Sequence, residues 1–204
     1  MQPNEQYQTL QQAYDWFNEQ LFDNALPNCI ITLHGKSDKQ LGYYSPERFN
    51  GRSNKTSADE LALNPATFAQ RTDEQILSTL VHEMAHVWQQ HFDAPSRGGY
   101  HNKAWGLKMD SIGLTPSNTG AIGGKRTGQQ MDHYVVENGP FHVAVQALFT
   151  AGYSLVWQSQ PAPKKQSKKS KVKYTCPVCE KNAWAKPESN LICGDCEETM
   201  LSEE

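Results

Sequence analysis

His82, Glu83 and His86 form an H-E-x-x-H run, His82-Glu83-Met84-Ala85-His86, inside an apolar stretch that reads as a buried helix. Residues four apart share one face of a helix, about 5–6 Å apart at Cβ, so the two imidazoles can converge on one metal ion. Glu83 lies one position round and stays beside that ion, where a carboxylate can act as general base on a metal-activated water. The pattern predicts zinc-dependent hydrolysis, most often of peptide bonds. The alternative is a chance match with two ordinary surface histidines. Leu77, Leu80, Val81, Met84, Ala85 and Trp88 argue against it by surrounding the motif with apolar positions. A polar group buried without a partner costs roughly 1–3 kcal/mol, and a shared metal removes that cost for both rings.

A catalytic zinc usually takes three protein ligands and keeps its fourth position open. His91 stands five residues after His86 and faces another side of the helix. The longer pattern H-E-x-x-H-x-x-G-x-x-H fails, with Gln89 at the glycine and Phe92 at the last histidine. An acidic third ligand would have to be Asp93 or Asp110, the acids between His86 and Ile112. His101 is the best candidate. It follows Pro95-Ser96-Arg97-Gly98-Gly99-Tyr100, a turn-forming run that can return the chain over the motif helix. It also opens a second apolar-periodic segment, His101 to Met109. A helix-capping or surface role is its alternative. His133, Tyr134 and His142 are candidates for lining the cleft or holding a tetrahedral oxyanion, with supporting or surface roles as the alternative. His34 and His91 are assigned to structure.

A second metal site is written in the last thirty residues. Cys176-Pro177-Val178-Cys179 and Cys193-Gly194-Asp195-Cys196 are two C-x-x-C pairs separated by thirteen residues. That spacing predicts a zinc ribbon with four thiolates around one structural zinc. Gly194 is expected to permit a tight turn beneath the metal. So short a segment has too little core to fold alone, and metal binding must supply folding energy. A pair of disulfides is the alternative, and it is disfavoured because no secretion signal is visible. Cys29 is left over in an apolar strand and is expected to be a buried free thiol.

The elements that must position these groups follow from periodicity. Tyr7, Leu10, Tyr14, Phe17 and Leu21 recur at helical spacing and predict an opening amphipathic helix with these residues in the core. Cys29–Leu33, Leu41–Ser45 and Leu61–Leu63 read as strands, and Thr72-Asp73-Glu74 as the start of the metal helix. Residues 114–130 are rich in Gly, Ser, Thr and Asn and read as a loop. Met131–Val136 reads as a strand, and Phe141–Phe149 as a further short element. The expected fold class is α+β, zincin-like, with the active-site helix packed on a small sheet. The chain carries a net charge of −3, unevenly spread: residues 164–173 hold six lysines and no acid, and residues 174–204 hold two basic and seven acidic side chains. The expected domains are 1–158 metalloprotease, 159–173 a Lys/Pro/Ser-rich flexible linker and 174–204 the ribbon. No apolar run approaches the roughly 18–20 residues of a membrane span, and the polar N-terminus lacks a signal pattern, so a cytoplasmic location is expected.

His82-Glu83-x-x-His86, a loop, then His101-Asn102-Lys103-Ala104-Trp105 resembles the SprT-like zinc metalloprotease domain, whose Spartan-related members remove proteins crosslinked to DNA. The resemblance spans roughly residues 5 to 160. Asn102 stands where that family commonly has glycine and Tyr100 precedes the histidine, but neither departure touches a ligand. The resemblance implies a histidine third ligand, a protein substrate, and DNA, single-stranded or crosslinked to protein, as a candidate partner. The lysines could neutralise phosphates, and Trp184 and Tyr174 could stack on unpaired bases. The resulting expectation is one catalytic zinc on His82, His86 and His101 with Glu83 as general base, and one structural zinc on Cys176, Cys179, Cys193 and Cys196. Two other classes stay open: a nucleic-acid-associated zinc protein without proteolytic activity, and a zinc hydrolase acting on a non-protein amide.

Overall fold

The structure is a computed structural model, and it describes residues 5–34, 40–53, 55–155 and 171–202. The chain separates into two compact units, Met1–Pro161 and Ala162–Glu204.

The first unit opens with α1 (Glu5–Phe22), which buries Leu10, Ala13, Tyr14, Phe17 and Leu21 as its period requires. Tyr7 departs from the sequence expectation: it stays 51% exposed, while Gln6 of the same turn is buried. Three strands follow, β1 (Ile30–Leu33), β2 (Gly42–Asn50) and β3 (Ser57–Leu63). They form a sheet of order β1-β3-β2, with β1 parallel and β2 antiparallel to β3. β3 is central and almost wholly buried, and β2 lies at the edge.

The motif sits in α2 (Asp73–Phe92). Its start is closed by a capping box, in which Thr72 Oγ1 accepts from the Gln75 amide and Gln75 Oε1 accepts from the Thr72 amide. Such a box satisfies two otherwise unpaired amides, and an N-cap is worth about 0.5–2 kcal/mol. Asp73 and Glu74 in the first turn suit the positive end of the helix dipole. From Ile76 to Ala85 every residue of α2 is buried, so the helix runs through the core instead of lying on it.

α3 (Lys103–Ser111) is capped by Asn102, whose Oδ1 accepts from the Trp105 amide and also from Gln89 Nε2 of α2. This double contact starts α3 and pins it to the motif helix. β4 (Leu114–Ser117) pairs antiparallel with β5 (Asp132–Val135), bringing Pro116 opposite His133. β4 corrects the reading of residues 114–130 as loop throughout. Its residues favour turns locally, and pairing with a distant strand overrides that preference. The last element of the unit is a helix, α4 (Pro140–Thr150), tied to α1 by stacking of Phe17 on Phe141 and by Trp16 Nε1 donating to the Ala144 carbonyl at 3.0 Å.

A buried carboxylate joins the sheet to the far end of α2. Asp59 accepts from Tyr44 Oη at 2.7 Å, from the Glu47 amide at 2.8 Å and from His91 Nε2 at 2.7 Å. The Glu47 contact falls where the β2–β3 register shifts between Ser45 and Phe49. His91 therefore serves structure, as its spacing implied.

In the second unit, β6 (Val172–Thr175), β7 (Asn182–Ala185) and β8 (Leu201–Ser202) form a sheet of order β7-β6-β8. Tyr174, Cys176, Cys193 and Met200 make its small core. Among the six lysines of the 164–173 run, Lys173 lies in β6, and Lys164, Lys165, Lys168 and Lys169 fall outside the described residues. Gly194 opens the expected turn, closed by the Glu197 amide donating to the Cys193 carbonyl, but its backbone is not left-handed and a Cβ there would meet nothing, so the turn does not require a glycine. Beside the cysteines the left-handed positions are Glu180 (φ 58°) and Glu197 (φ 55°), each directly after the second cysteine of a pair.

The Asp59 cluster makes a testable prediction about acid stability. Burial acts to raise the Asp59 carboxyl, but hydrogen bonds from His91, the Glu47 amide and Tyr44 outweigh it and hold the group below the ordinary carboxylate range. A depressed carboxyl contributes stability that is fully present above its unfolded pKa and is lost as pH falls through the folded one. Asp59→Asn should therefore lower stability by about 1–3 kcal/mol at neutral pH. In urea denaturation the gap from wild type should close as pH drops below the ordinary carboxylate range. A gap independent of pH would show that Asp59 contributes no charge-dependent stability.

Candidate active site

His82 and His86 stand one turn apart on α2 with ring centroids 5.4 Å apart. His101 reaches them from the residue pair just before α3, its ring 5.4 Å from that of His82 and 4.8 Å from that of His86. Its backbone is fixed by reciprocal hydrogen bonds with Gly128, the amide of each donating to the carbonyl of the other. His101 Nδ1 also lies 3.2 Å from the Gly128 carbonyl oxygen, an acceptor, which leaves Nε2 to face inward, 3.1 Å from His86 Nε2. One ring nitrogen from each of the three histidines lies within 4.8 Å of the others, an arrangement that could hold a metal ion.

Trp105 is the residue that sequence reasoning gave no role. Fully buried, it lies under all three imidazoles, with centroids 4.9 Å from His82, 5.1 Å from His86 and 4.5 Å from His101. Its i, i+4 spacing from His101 was the available signal.

Burial sets the protonation of this group. It pushes His86 down to about 3 and His82 well below the usual imidazole range, and it lowers His101 as well. The neighbouring imidazoles add to the effect at His82 and His86. All three rings are therefore neutral and offer lone pairs near pH 7. Three neutral imidazoles are a donor set that zinc accepts readily, so the residues fit a zinc ion. Burial acts oppositely on Glu83, raising its carboxyl to about 8. That value belongs to the protein without a cation, and a dication close by would lower it.

These groups open on a cleft of about 890 Å³. Its walls come from Leu41 and the start of β2 (Gly42 to Tyr44), the loop Pro95–Tyr100 and the segment Gln129–His133. Gly42 allows the edge strand to pass close over the motif helix. A Cβ there would sit 2.9 Å from the Ala62 carbonyl oxygen and 3.2 Å from Glu83 Oε1.

The rival third ligands go elsewhere. His91 bonds Asp59, Asp110 pairs with Arg126, and Asp93 caps the end of α2. His142 Nδ1 accepts from the Asn138 amide in a local turn. His133 does join the site, with Nδ1 3.1 Å from His82 Nδ1. In the second unit, the sulfurs of Cys176, Cys179, Cys193 and Cys196 also lie within 4.8 Å of one another. Tyr174 corrects the stacking expectation. It is 3% exposed, with Oη donating to the Lys186 carbonyl and accepting from the Ser189 amide, so it cannot meet a base. Trp184 is 62% exposed.

A model of the SprT-like family matches residues 10–123, more than half of the chain and all of the H-E-x-x-H and His101 region. The chain belongs to the SprT-like family. This is a zinc metalloprotease-like family, in accord with the mixed helix-and-sheet fold. The SprT-like chain is also 49% identical over 57 residues to a Salmonella typhimurium protein described as "Uncharacterized protein in mucB 3'region", covering 28% of this chain and 76% of that one. No solved structure matches it. No helix among the described residues is long and apolar enough to cross a membrane.

Two donor sets of different chemistry predict two zinc ions per full-length SprT-like chain by elemental analysis. His101→Ala should leave one, and His91→Ala and Asp110→Asn should each leave two. Loss of zinc from the Asp110 variant, with zinc retained by the His101 variant, would move the third ligand to the acid.

Proposed function

We propose that this SprT-like protein is a zinc-dependent metallopeptidase, with the metal on His82, His86 and His101 and a second, structural zinc on the four cysteines. The observation that carries this reading is Glu83, buried beside three neutral imidazoles at the wall of a cleft large enough for an extended chain. A purely structural site has no use for that carboxylate. Zinc bound there would supply Lewis acidity, polarising a water and the substrate carbonyl. Glu83 takes a proton from the attacking water and passes it to the leaving amine. β2, the edge strand, lines the cleft, and a substrate backbone can lie along it by strand addition. The neutral imidazoles keep their lone pairs available.

The substrate we infer is protein associated with or crosslinked to DNA. Support comes from the resemblance, from the lysine run at 164–173 and from the exposed indole of Trp184. Lysines meet phosphates without reading sequence, and an aromatic face stacks on any base. The acidity of residues 174–204 limits the surface available for such contact.

Glu83→Gln should keep both zinc ions and the fold but lose about 10²–10⁴-fold in peptide-bond cleavage, the usual worth of a general base. Cleavage by the variant at the wild-type rate would remove Glu83 from the chemistry. The DNA part has its own test, replacement of the six lysines from Lys164 to Lys173 by serine. Six phosphate contacts on single-stranded DNA would give a log–log salt slope of about −4, from roughly −0.7 per contact. The serine variant should flatten the slope and lose rate on DNA-bound protein while cleaving a small unfolded peptide as wild type does, because tethering raises local concentration only. Equal binding and equal rates on DNA-bound protein would reduce the lysines to a solvated linker.

A further inference from the structure

We propose that His133 is a positioning residue for His82, accepting a hydrogen bond from His82 Nδ1–H and thereby fixing which nitrogen His82 presents to the metal. The inference rests on the three-histidine zinc reading above and assigns a role to a histidine outside that set.

The geometry begins with one contact. His82 Nδ1 and His133 Nδ1 lie 3.1 Å apart. Two ring nitrogens at that distance form a hydrogen bond only when one carries a proton and the other is bare. Because Nδ1 of His82 is engaged by His133, the nitrogen left for the shared group is Nε2. A metal-binding Nε2 must be unprotonated, so a neutral His82 carries its proton on Nδ1 and donates it. His133 then accepts at Nδ1 and holds its own proton on Nε2. His101 repeats the logic, with its Nδ1 set against the Gly128 carbonyl and its Nε2 turned inward. An acceptor behind a ligating imidazole fixes ring orientation and tautomer, and its loss typically costs 10–100-fold in metal affinity.

The surroundings of His133 favour this proton placement. Its side chain is only 6% exposed. Among the described residues, Asp132 is the carboxylate set beside His133 Nδ1. Its Oδ1 is 3.7 Å away, too far for a hydrogen bond, and already accepts from the His133 amide at 2.8 Å. β5 makes the contact possible: pairing with β4 brings His133 opposite Pro116, at the wall of the cleft.

The test uses the full-length chain. In the unmutated zinc-loaded protein, long-range ¹H–¹⁵N spectra should show His82 protonated at Nδ1 and His133 protonated at Nε2. A proton on His133 Nδ1 would overturn the proposal without any variant. Two substitutions separate hydrogen bonding from packing. His133→Phe keeps a ring but removes the acceptor, and His133→Asn places an amide oxygen near the position of Nδ1. Metal affinity is read by chelator competition with zinc and with cobalt(II), whose spectrum distinguishes histidine from thiolate ligation. His133→Phe should weaken the histidine site about 10–100-fold and leave the cysteine site unchanged, and His133→Asn should recover most of the loss. Wild-type affinity in His133→Phe, or equal losses in both variants, would overturn the proposal alone. A wild-type protein that takes metal only at its cysteines would overturn the three-histidine reading and this inference together.

Discussion

Removing imidazoles and a carboxylate from water is the constraint around which the first unit is built. His82, Glu83 and His101 are buried in an interface otherwise made of Leu77, Leu80, Val81, Met84 and Trp105. Such groups are costly in an apolar setting unless they are neutralised, hydrogen-bonded or bound to a cation. The structure answers each in turn. The histidines lose their charge, His101 gains a carbonyl and His82 a second imidazole, and the remaining ring nitrogens turn toward one another. A dication in that space converts the residual penalty into binding energy.

The rest of the architecture holds this arrangement in place. α2 must be straight and well anchored, and both ends are fastened: the capping box at Thr72 closes one, and the Asp59–His91 contact ties the other to the β2–β3 hairpin. That hairpin also carries Gly42, so one segment sets the end of the helix and the distance between the edge strand and Glu83. α3 is fixed to the same helix through Asn102 and Gln89, which fixes the loop that delivers His101. The site is thus a property of how three elements meet, with each junction made by a named polar contact.

What could be read from the sequence was what depends on near neighbours. The motif helix and its Thr72 start, the histidine after the Gly98-Gly99 turn and the paired cysteines all carry their signal within a few residues. The misreadings share a different cause. Leu114–Ser117 looks like loop because its strand partner is β5, and Tyr174 looks like an available aromatic because its partners Lys186 and Ser189 lie across the ribbon. His133 contacts His82 across 51 residues, and no local pattern announces such a pairing. Trp105 was visible as an apolar helical position, but three rings resting on one indole is a fact of assembly. Tyr7 shows the limit of periodicity: a residue can keep the spacing of a buried face and still stay exposed.

The indole of Trp105 changes how metal capture should be pictured. A rigid bicyclic plate in contact with three rings, itself fully buried, leaves the imidazoles few alternative rotamers. Their conformational entropy is surrendered when the chain folds, before any ion arrives. An ion would then meet a preformed socket, and its uptake would require dehydration of the ion and little rearrangement of its hosts. Looseness anywhere in the packing beneath Trp105 would blur the socket, so the precision with which the three rings are held is inherited from the density of the core below it.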